Sequence, residues 1–325
     1  LTFKIQMRYL ECHSRKENRE QKANTMNVLS ENRLKGTFVN QGVSCAATLH
    51  RPTTAKGPYP TILMVHGWGG TQLTLVTGFI DAFNEAGFAV LTFDYPGWGD
   101  SEGLPRNTIS PWKREKTVEA ALAYTKSLAD VDQTNIILWG SSFGGGHVVK
   151  TAAEHPELRG AIAQVPMLDG MLAVKAVPPA RMIRFGVDMM RDMLNPFAAH
   201  YVPIVSPEGE YSSMDRDGAW RVEGWISDTL KRENDNRVAA RSLATMGFYR
   251  PRKHLKSIKI PMLIIGATRD TVAPFDEEKV RKLSSEKVEI QTIDANHFDP
   301  YLDHWFEDNI ARQLNFIKKL VPANY

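Results

Sequence analysis

The stretch Ile136-Ile137-Leu138-Trp139-Gly140-Ser141-Ser142-Phe143-Gly144 places the motif G-x-S-x-G directly after an apolar run. This pattern predicts a buried strand, a tight turn and then a helix, with the central serine held clear of the sheet on the turn. The positions two before and two after that serine must be small, because the strand and helix backbones converge there. Ser141 fails this requirement, since its flanking positions are Trp139 and Phe143. Ser142 is therefore the predicted nucleophile for attack on a carbonyl carbon.

A second glycine-rich segment, Val65-His66-Gly67-Trp68-Gly69-Gly70, follows the apolar run 61–64. Attack on a carbonyl carbon builds negative charge on the carbonyl oxygen, so the site needs fixed N–H donors. The predicted donors are two backbone N–H groups, that of Phe143 directly after the nucleophile and that of Trp68 in the loop after an early strand. The alternative interpretation is that these glycines only form a turn.

Two more apolar runs each end in a loop that carries a titratable residue. The run 261–266 precedes Asp270, and the run 288–293 precedes His297. The chain order Ser142, Asp270, His297 is the order that serine–carboxylate–histidine triads take in α/β hydrolase sheets. In such a triad the histidine accepts the serine proton and later returns it to the leaving group, while the aspartate fixes the histidine tautomer.

The alternation of strands and helices predicts a mostly parallel sheet covered by helices on both faces. Ligands of such sheets bind outside the carboxyl ends of the strands. Trp68, Ser142, Asp270 and His297 all follow predicted strands. We therefore expect these four residues to meet at one edge of the sheet.

These segments together resemble the α/β-hydrolase superfamily, and the resemblance covers roughly residues 34–320. The loop 93–103 is similar to the family's D-x-R-G-x-G-x-S loop, although Tyr95-Pro96 stands where arginine is common. The resemblance implies a serine hydrolase with no added cofactor. A serine nucleophile argues against the dehalogenases and epoxide hydrolases of this fold, which need a carboxylate nucleophile.

Two residues are alternatives for the acid and the base. Asp169 follows the run 161–168, and some α/β hydrolases carry the acid after this strand. Asp270 is favoured because the segment 266–274 resembles the family's G-x-x-D-x-x-V/I-x-P. His304 is the alternative base.

The alternation of strand and helix patterns stops between residues 165 and 260. This break predicts a helical cap inserted into the sheet domain. The expected organisation is a flexible N-terminal extension over 1–33, an α/β-hydrolase core over 34–165 and 256–325, and a helical cap over 166–255. Helical patterns cover 180–194 and 221–236, and seven of the twelve methionines fall between residues 171 and 246. Because methionine is adaptable, these side chains are predicted to line an acyl pocket; ordinary helix packing is the alternative.

Composition excludes several other classes of protein. The 325 residues are 42% hydrophobic and carry a net charge of +3. The basic excess lies in the first 35 residues, so no basic surface for nucleic acid is expected. No apolar run approaches the ~18 residues that span a membrane.

The only cysteines, Cys12 and Cys45, predict free thiols and a cytoplasmic, reducing compartment. Histidines and carboxylates show no metal-binding spacing, so no metal site is predicted.

The function predicted from these features is hydrolysis of a small-molecule carboxylic ester or thioester through an acyl-enzyme on Ser142. The cap and loops also resemble those of thiohydrolases and polyketide acyltransferases, and more distantly those of X-Pro-type peptidases, which remain alternatives. A non-catalytic scaffold is the third alternative, although such proteins usually lack part of the triad. The sequence leaves the oligomeric state open.

Overall fold

The computed structural model describes residues 32–53, 56–195, 198–207, 209–214, 219 and 236–321. The predicted N-terminal extension lies almost wholly outside the described residues. Most of the helix predicted over 221–236 also lies outside them. The predicted domain boundaries therefore stay a prediction.

Within the described ranges, eight strands form one sheet and two short strands form another. The strands are β1 (Arg33–Asn40), β2 (Val43–His50), β3 (Tyr59–Val65), β4 (Ala89–Phe93), β5 (Val131–Ser141), β6 (Gly160–Gln164), β7 (Tyr201–Pro203), β8 (Arg237–Ala239), β9 (Met262–Ala267) and β10 (Val288–Ile293). The order in the large sheet is β1-β2-β4-β3-β5-β6-β9-β10. β1 and β2 form an antiparallel hairpin, β2 is antiparallel to β4, and the remaining neighbours are parallel.

Helices cover both faces of this sheet. They are α1 (Thr77–Glu85), α2 (Pro111–Ser127), α3 (Phe143–Glu154), α4 (Gly170–Lys175), α5 (Pro179–Leu194), α6 (Glu277–Leu283) and α7 (Asp303–Leu320). α2 and α3 contact each other on one face, and α1 and α7 contact each other on the opposite face. The predicted doubly wound, mostly parallel α/β architecture is confirmed. No helix in the described ranges is both long and apolar enough to cross a membrane.

The segment between β6 and β9 is more varied than the helical cap that the sequence predicts. α5 matches the predicted helix, but β7 and β8 form an antiparallel pair and residues 240–248 form a 3₁₀ helix. The buried carboxylate of Asp192 on α5 explains this arrangement. It accepts backbone N–H groups from His200 at 2.8 Å and Arg241 at 2.7 Å, which flank the two strands. One side chain thus ties both strands to the helix.

A buried network of amide side chains fixes α7 against the sheet. The side-chain oxygen of Gln164 at the end of β6 accepts hydrogen bonds from Asn309 and Gln313, both at 2.8 Å. Gln164 also donates to the hydroxyl of Ser141 at 3.1 Å, and that hydroxyl hydrogen-bonds Tyr301. Because all these groups are partnered, the network orients α7 without leaving an unsatisfied amide. Ser141, the last residue of β5, therefore links the turn before α3 to the loop after β10.

The backbones of β5, α3 and the end of β3 converge at Gly144. A Cβ atom built there would lie 2.0 Å from the Val65 carbonyl oxygen and 2.7 Å from that of His66. Both contacts are with backbone atoms, so no side chain can move away to relieve them. Position 144 must therefore be glycine for these three segments to meet.

Gly144→Ala should lower the free energy of unfolding by roughly 1–3 kcal/mol or more, because the methyl group forces the backbones apart. Urea denaturation followed by tryptophan fluorescence measures this change. Gly186→Ala is the matched control, since a Cβ on Gly186 in α5 meets no atom within 4 Å. Its removal of a helical glycine should stabilise the protein by roughly 0.5–1 kcal/mol. Equal urea midpoints for the two variants would contradict the proposed convergence.

Candidate active site

Ser142 occupies the turn between β5 and α3 in a strained backbone conformation. Its φ is 55° and its ψ is −123°, a region that non-glycine residues rarely adopt. Strain of this kind persists only where the surrounding structure enforces it. The close packing at Gly144 supplies that constraint, and the resulting turn presents the Ser142 side chain at the carboxyl edge of the sheet.

The structure brings Ser142, His297 and Asp270 into one chain of hydrogen bonds. The Ser142 Oγ lies 2.9 Å from Nε2 of His297, and Nδ1 of the same ring lies 2.6 Å from Oδ2 of Asp270. With the proton on Nδ1, the histidine donates to the aspartate and accepts the hydroxyl proton of the serine. All three residues are buried. This geometry suits a serine nucleophile, a histidine base and an orienting carboxylate.

The backbone after β9 holds the carboxylate of Asp270 in place. Its Oδ1 accepts the N–H groups of Val272 at 2.9 Å and Ala273 at 2.7 Å. The loop thus occupies Oδ1 of Asp270, and Oδ2 is left to accept a hydrogen bond from His297.

The two predicted N–H donors lie on segments that meet beside the nucleophile. Phe143 is the first residue of α3, and the first N–H groups of a helix have no partner within it. The loop after β3 passes directly over the turn: a Cβ atom built on Gly67 would lie 3.1 Å from the Ser142 Cβ and 3.6 Å from the Phe143 nitrogen. Trp68, next in that loop, donates its indole N–H to the Ser213 hydroxyl at 3.2 Å.

The alternative acid and base lie in other surroundings. Asp169 forms an ion pair with Arg252 at 3.0 Å and accepts the N–H of Met171 at 3.1 Å, which caps α4. His304 is exposed in the first turn of α7 and packs on Trp305 with ring centres 3.9 Å apart. The structure thus brings Asp270 and not Asp169 to His297, and His297 and not His304 to Ser142.

A cluster of buried polar side chains around Arg114, next to the site, was not predicted from the sequence. Arg114 on α2 is only 3% exposed, and it donates to the Gly67 carbonyl oxygen at 2.8 Å. Its guanidinium carbon lies 4.2 Å from the centre of the Tyr95 ring, a cation–π contact. Nearby, the Tyr249 hydroxyl hydrogen-bonds Nδ1 of His147 at 2.9 Å, and the Tyr249 ring packs 4.6 Å from that of Phe143.

Burial controls the charge of this cluster. Desolvation lowers the pKa of His66 and of His147 well below the ordinary value, and the positive charge of Arg114 adds to the effect. Both rings are therefore neutral at pH 7. Desolvation also lowers the pKa of Arg114, to about 10, so this side chain remains charged at neutral pH. The cluster contributes one positive charge next to the loop that carries Trp68, a predicted N–H donor.

Two cavities meet at Ser142. The first holds about 780 Å³ of empty space including its open mouth. It is lined mainly by apolar side chains, among them Phe143, Met167, Ala173, Val174, Met182, Phe185, Met189 and Met246. The second, with about 600 Å³ of empty space that likewise includes its open mouth, lies on the His297 side and is lined by the loop after β3 together with Ile204, Phe298 and Tyr301. No carboxylate of the described residues lines either cavity.

Comparison with known proteins identifies the family. A family model described as serine aminopeptidase, S33, matches residues 56–297. The chain belongs to this family of α/β hydrolases. The quorum-quenching protein AidA of Acinetobacter baumannii is 33% identical over 290 residues, which are 88% of this chain and 94% of AidA. A thiohydrolase of Eupenicillium brefeldianum is 28% identical over 235 residues, covering 70% of this chain and 75% of the relative.

Solved structures show the same fold. The α/β hydrolase GrgF from Penicillium sp. sh18 superposes with a TM-score of 0.73 at 22% sequence identity, covering 88% of this chain and 98% of GrgF. Est1E from Butyrivibrio proteoclasticus with bound ferulic acid superposes with a TM-score of 0.60 at 18% identity, covering 88% and 99% of the two chains. At these identities the likeness establishes the fold alone.

The hydrogen-bond chain predicts how a fluorophosphonate probe will label the protein. Wild type should be labelled at Ser142, and His297→Ala should reduce the labelling rate by roughly 10³-fold or more, because the serine loses its base. Asp270→Asn should also slow labelling strongly, since the histidine loses its orienting partner. The rates are measured by gel fluorescence over time.

Asp169→Asn and His304→Ala are the matched controls for these two variants. Each removes the alternative acid or base while leaving the observed hydrogen-bond chain intact. Both should label at close to the wild-type rate. Slow labelling of a folded Asp169→Asn variant together with normal labelling of Asp270→Asn would reverse the assignment of the acid.

Proposed function

We propose that this protein is a serine hydrolase that cleaves oxygen esters or thioesters of an apolar acyl group. The observation that carries the proposal is the Ser142–His297–Asp270 hydrogen-bond chain at the junction of an apolar cavity and a second cavity. Membership of the S33 family supports hydrolase chemistry, and the relatives named thiohydrolase support a thioester as well as an oxygen ester.

Acylation begins when Ser142 Oγ attacks the substrate carbonyl carbon and its proton passes to Nε2 of His297. The carbonyl oxygen becomes an oxyanion that the N–H groups of Trp68 and Phe143 stabilise. His297 then returns the proton to the leaving oxygen or sulfur as the carbonyl–leaving-group bond breaks. Water attacks the acyl-Ser142 carbonyl, again with His297 as base, which releases the acid and restores the serine.

The position of His297 assigns a role to each cavity. The leaving group must lie near the ring that protonates it, and His297 lines only the second cavity. The acyl chain therefore occupies the first cavity, where Met182 and Met189 of α5 face the site. An apolar lining stabilises a hydrocarbon chain by about 0.8 kcal/mol per buried CH₂ group.

The residues that line the two cavities do not favour an aminopeptidase, although the family model is described as serine aminopeptidase. Binding a peptide's terminal ammonium group calls for a carboxylate in the pocket. Asp188 and Asp192 of α5 are instead committed to other partners: Asp188 accepts from the Tyr211 hydroxyl at 2.5 Å and contacts His200, while Asp192 pairs with Arg241. Glu223, a further acidic residue of the predicted cap, lies outside the described residues.

A p-nitrophenyl ester series from acetate to decanoate tests the proposal. Wild type should hydrolyse the series with an optimum at one chain length, and Ser142→Ala should lose at least about 10³-fold in kcat. A wild type that hydrolyses none of these esters and is not labelled by fluorophosphonate would contradict the proposed function. The series should also be repeated with acyl thioesters and with small signalling molecules, given the quorum-quenching relative.

Ala173→Leu should shift the optimum of this series to shorter esters, because the larger side chain fills the acyl cavity. Ala176→Leu is the matched control: it lies three residues later and is exposed, so its profile should match that of wild type. An unchanged profile for Ala173→Leu would mean that the acyl chain lies elsewhere.

Acyl transfer is the second candidate function, and the second cavity is the observation that favours it. An acceptor alcohol bound in that cavity would lie beside His297, and relatives named polyketide transferases are similar to this chain. A transferase should give an ester product when alcohols of increasing size are added to p-nitrophenyl butyrate. Mass spectrometry that finds only butyric acid at every alcohol concentration would leave hydrolysis as the function.

A further inference from the structure

The feature from which we draw a further inference is the buried cation Arg114, which lies outside the triad. Its Nη1 donates to the Gly67 carbonyl oxygen at 2.8 Å. Its Nε and Nη2 have no hydrogen-bond partner among the described residues. No carboxylate of those residues lies within 4 Å of the guanidinium to form an ion pair with it. A buried charge without a counter-ion is costly, so its retention calls for a physical explanation.

The carbonyl that Arg114 contacts belongs to the same peptide group as the Trp68 N–H. That peptide is trans, so its C=O and N–H point in opposite directions. Holding the oxygen towards α2 therefore directs the N–H away from α2. The loop itself lies against Ser142 and Phe143 at Gly67. The contact thus fixes the orientation of a predicted oxyanion donor.

The contact also polarises the peptide group. A charged donor on the carbonyl oxygen withdraws electron density through the amide, which strengthens the N–H as a donor. In a buried site a positive charge also stabilises developing negative charge more strongly than it does in water. Tyr95 and Trp98 hold the guanidinium in place, with ring centres 4.2 and 5.3 Å from its central carbon.

We propose that Arg114 is a positioning residue of the oxyanion hole, which orients and polarises the Gly67–Trp68 peptide for the tetrahedral intermediate. This inference rests on the proposed serine-hydrolase function. It differs from a structural role in one respect: the contribution of Arg114 should be larger in the transition state than in the ground state. Loss of the side chain should therefore lower kcat much more than it changes KM.

The test compares Arg114→Met, Arg114→Gln and Arg114→Lys with wild type on p-nitrophenyl butyrate. Rates are expressed per active site titrated with fluorophosphonate, so that misfolded protein is not counted. The Met and Gln variants should lose roughly 10–100-fold in kcat with KM within about threefold. The Lys variant keeps the charge and should recover a large part of that loss, which also keeps the test decisive if the Met variant does not fold.

A trifluoromethyl ketone with a butyl chain provides the second measurement, because its adduct with serine carries an oxyanion. Its inhibition constant should rise across the Arg114 variants by the factor by which kcat/KM falls. Arg106→Gln is the matched control: Arg106 also donates to backbone carbonyls, those of Ser101 and Gly99, but it lines neither of the two cavities at Ser142. Its kcat per titrated site should stay within about twofold of wild type.

The outcomes separate this inference from the proposed function. An active wild type with unchanged kcat per site in Arg114→Gln and Arg114→Met would overturn the role of Arg114 alone. An equal loss of kcat in Arg106→Gln, or no recovery of kcat in Arg114→Lys, would mean that Arg114 acts only through packing. Either result would also overturn its proposed role. A wild type that neither turns over esters nor reacts with fluorophosphonate would overturn both proposals.

Discussion

The close crossing of backbones at the turn after β5 is the constraint on which the site depends. Gly144 packs on the Val65 and His66 carbonyls so tightly that no side chain fits. This contact joins the end of β3 to the start of α3 and forces the positive φ of Ser142 between them. The nucleophile and the two segments that carry the predicted oxyanion donors are therefore brought together by this packing contact. Catalytic geometry of this kind needs rigid support, because small displacements weaken it greatly.

Two buried networks of different charge support the site from opposite sides. On the side of His297, Ser141, Gln164, Asn309 and Tyr301 form a neutral, hydrogen-bonded network. On the other side lies Arg114, a single positive charge. The difference matches the charges that acyl transfer would generate. The imidazolium already has a carboxylate partner in Asp270, whereas the oxyanion would have only N–H donors and benefits from a nearby cation.

The sequence predicts the parts of the site that depend on local pattern. Buried strands, small residues around Ser142 and loop positions after strands are encoded within a few residues, and their chain order indicates the triad. The burial of Arg114 depends on packing between segments far apart in sequence. One local signal existed, since Arg114 shares the buried face of α2 with Val118 and Ala121. The strands β7 and β8 have three residues each, too few for a periodic pattern to show.

The chemistry of α5 explains how a helix with two buried aspartates, Asp188 and Asp192, can roof an apolar cavity. A carboxylate facing the cavity without a partner would disfavour a hydrocarbon chain and favour a cation. Asp188 and Asp192 are instead satisfied by Tyr211, His200 and Arg241, which also hold the helix to the neighbouring cap segments. The same contacts that fix the position of α5 thus leave Met182 and Met189 to line the cavity at Ser142. The proposed selectivity for an apolar acyl group over an ammonium group would follow from the way in which these segments are held together.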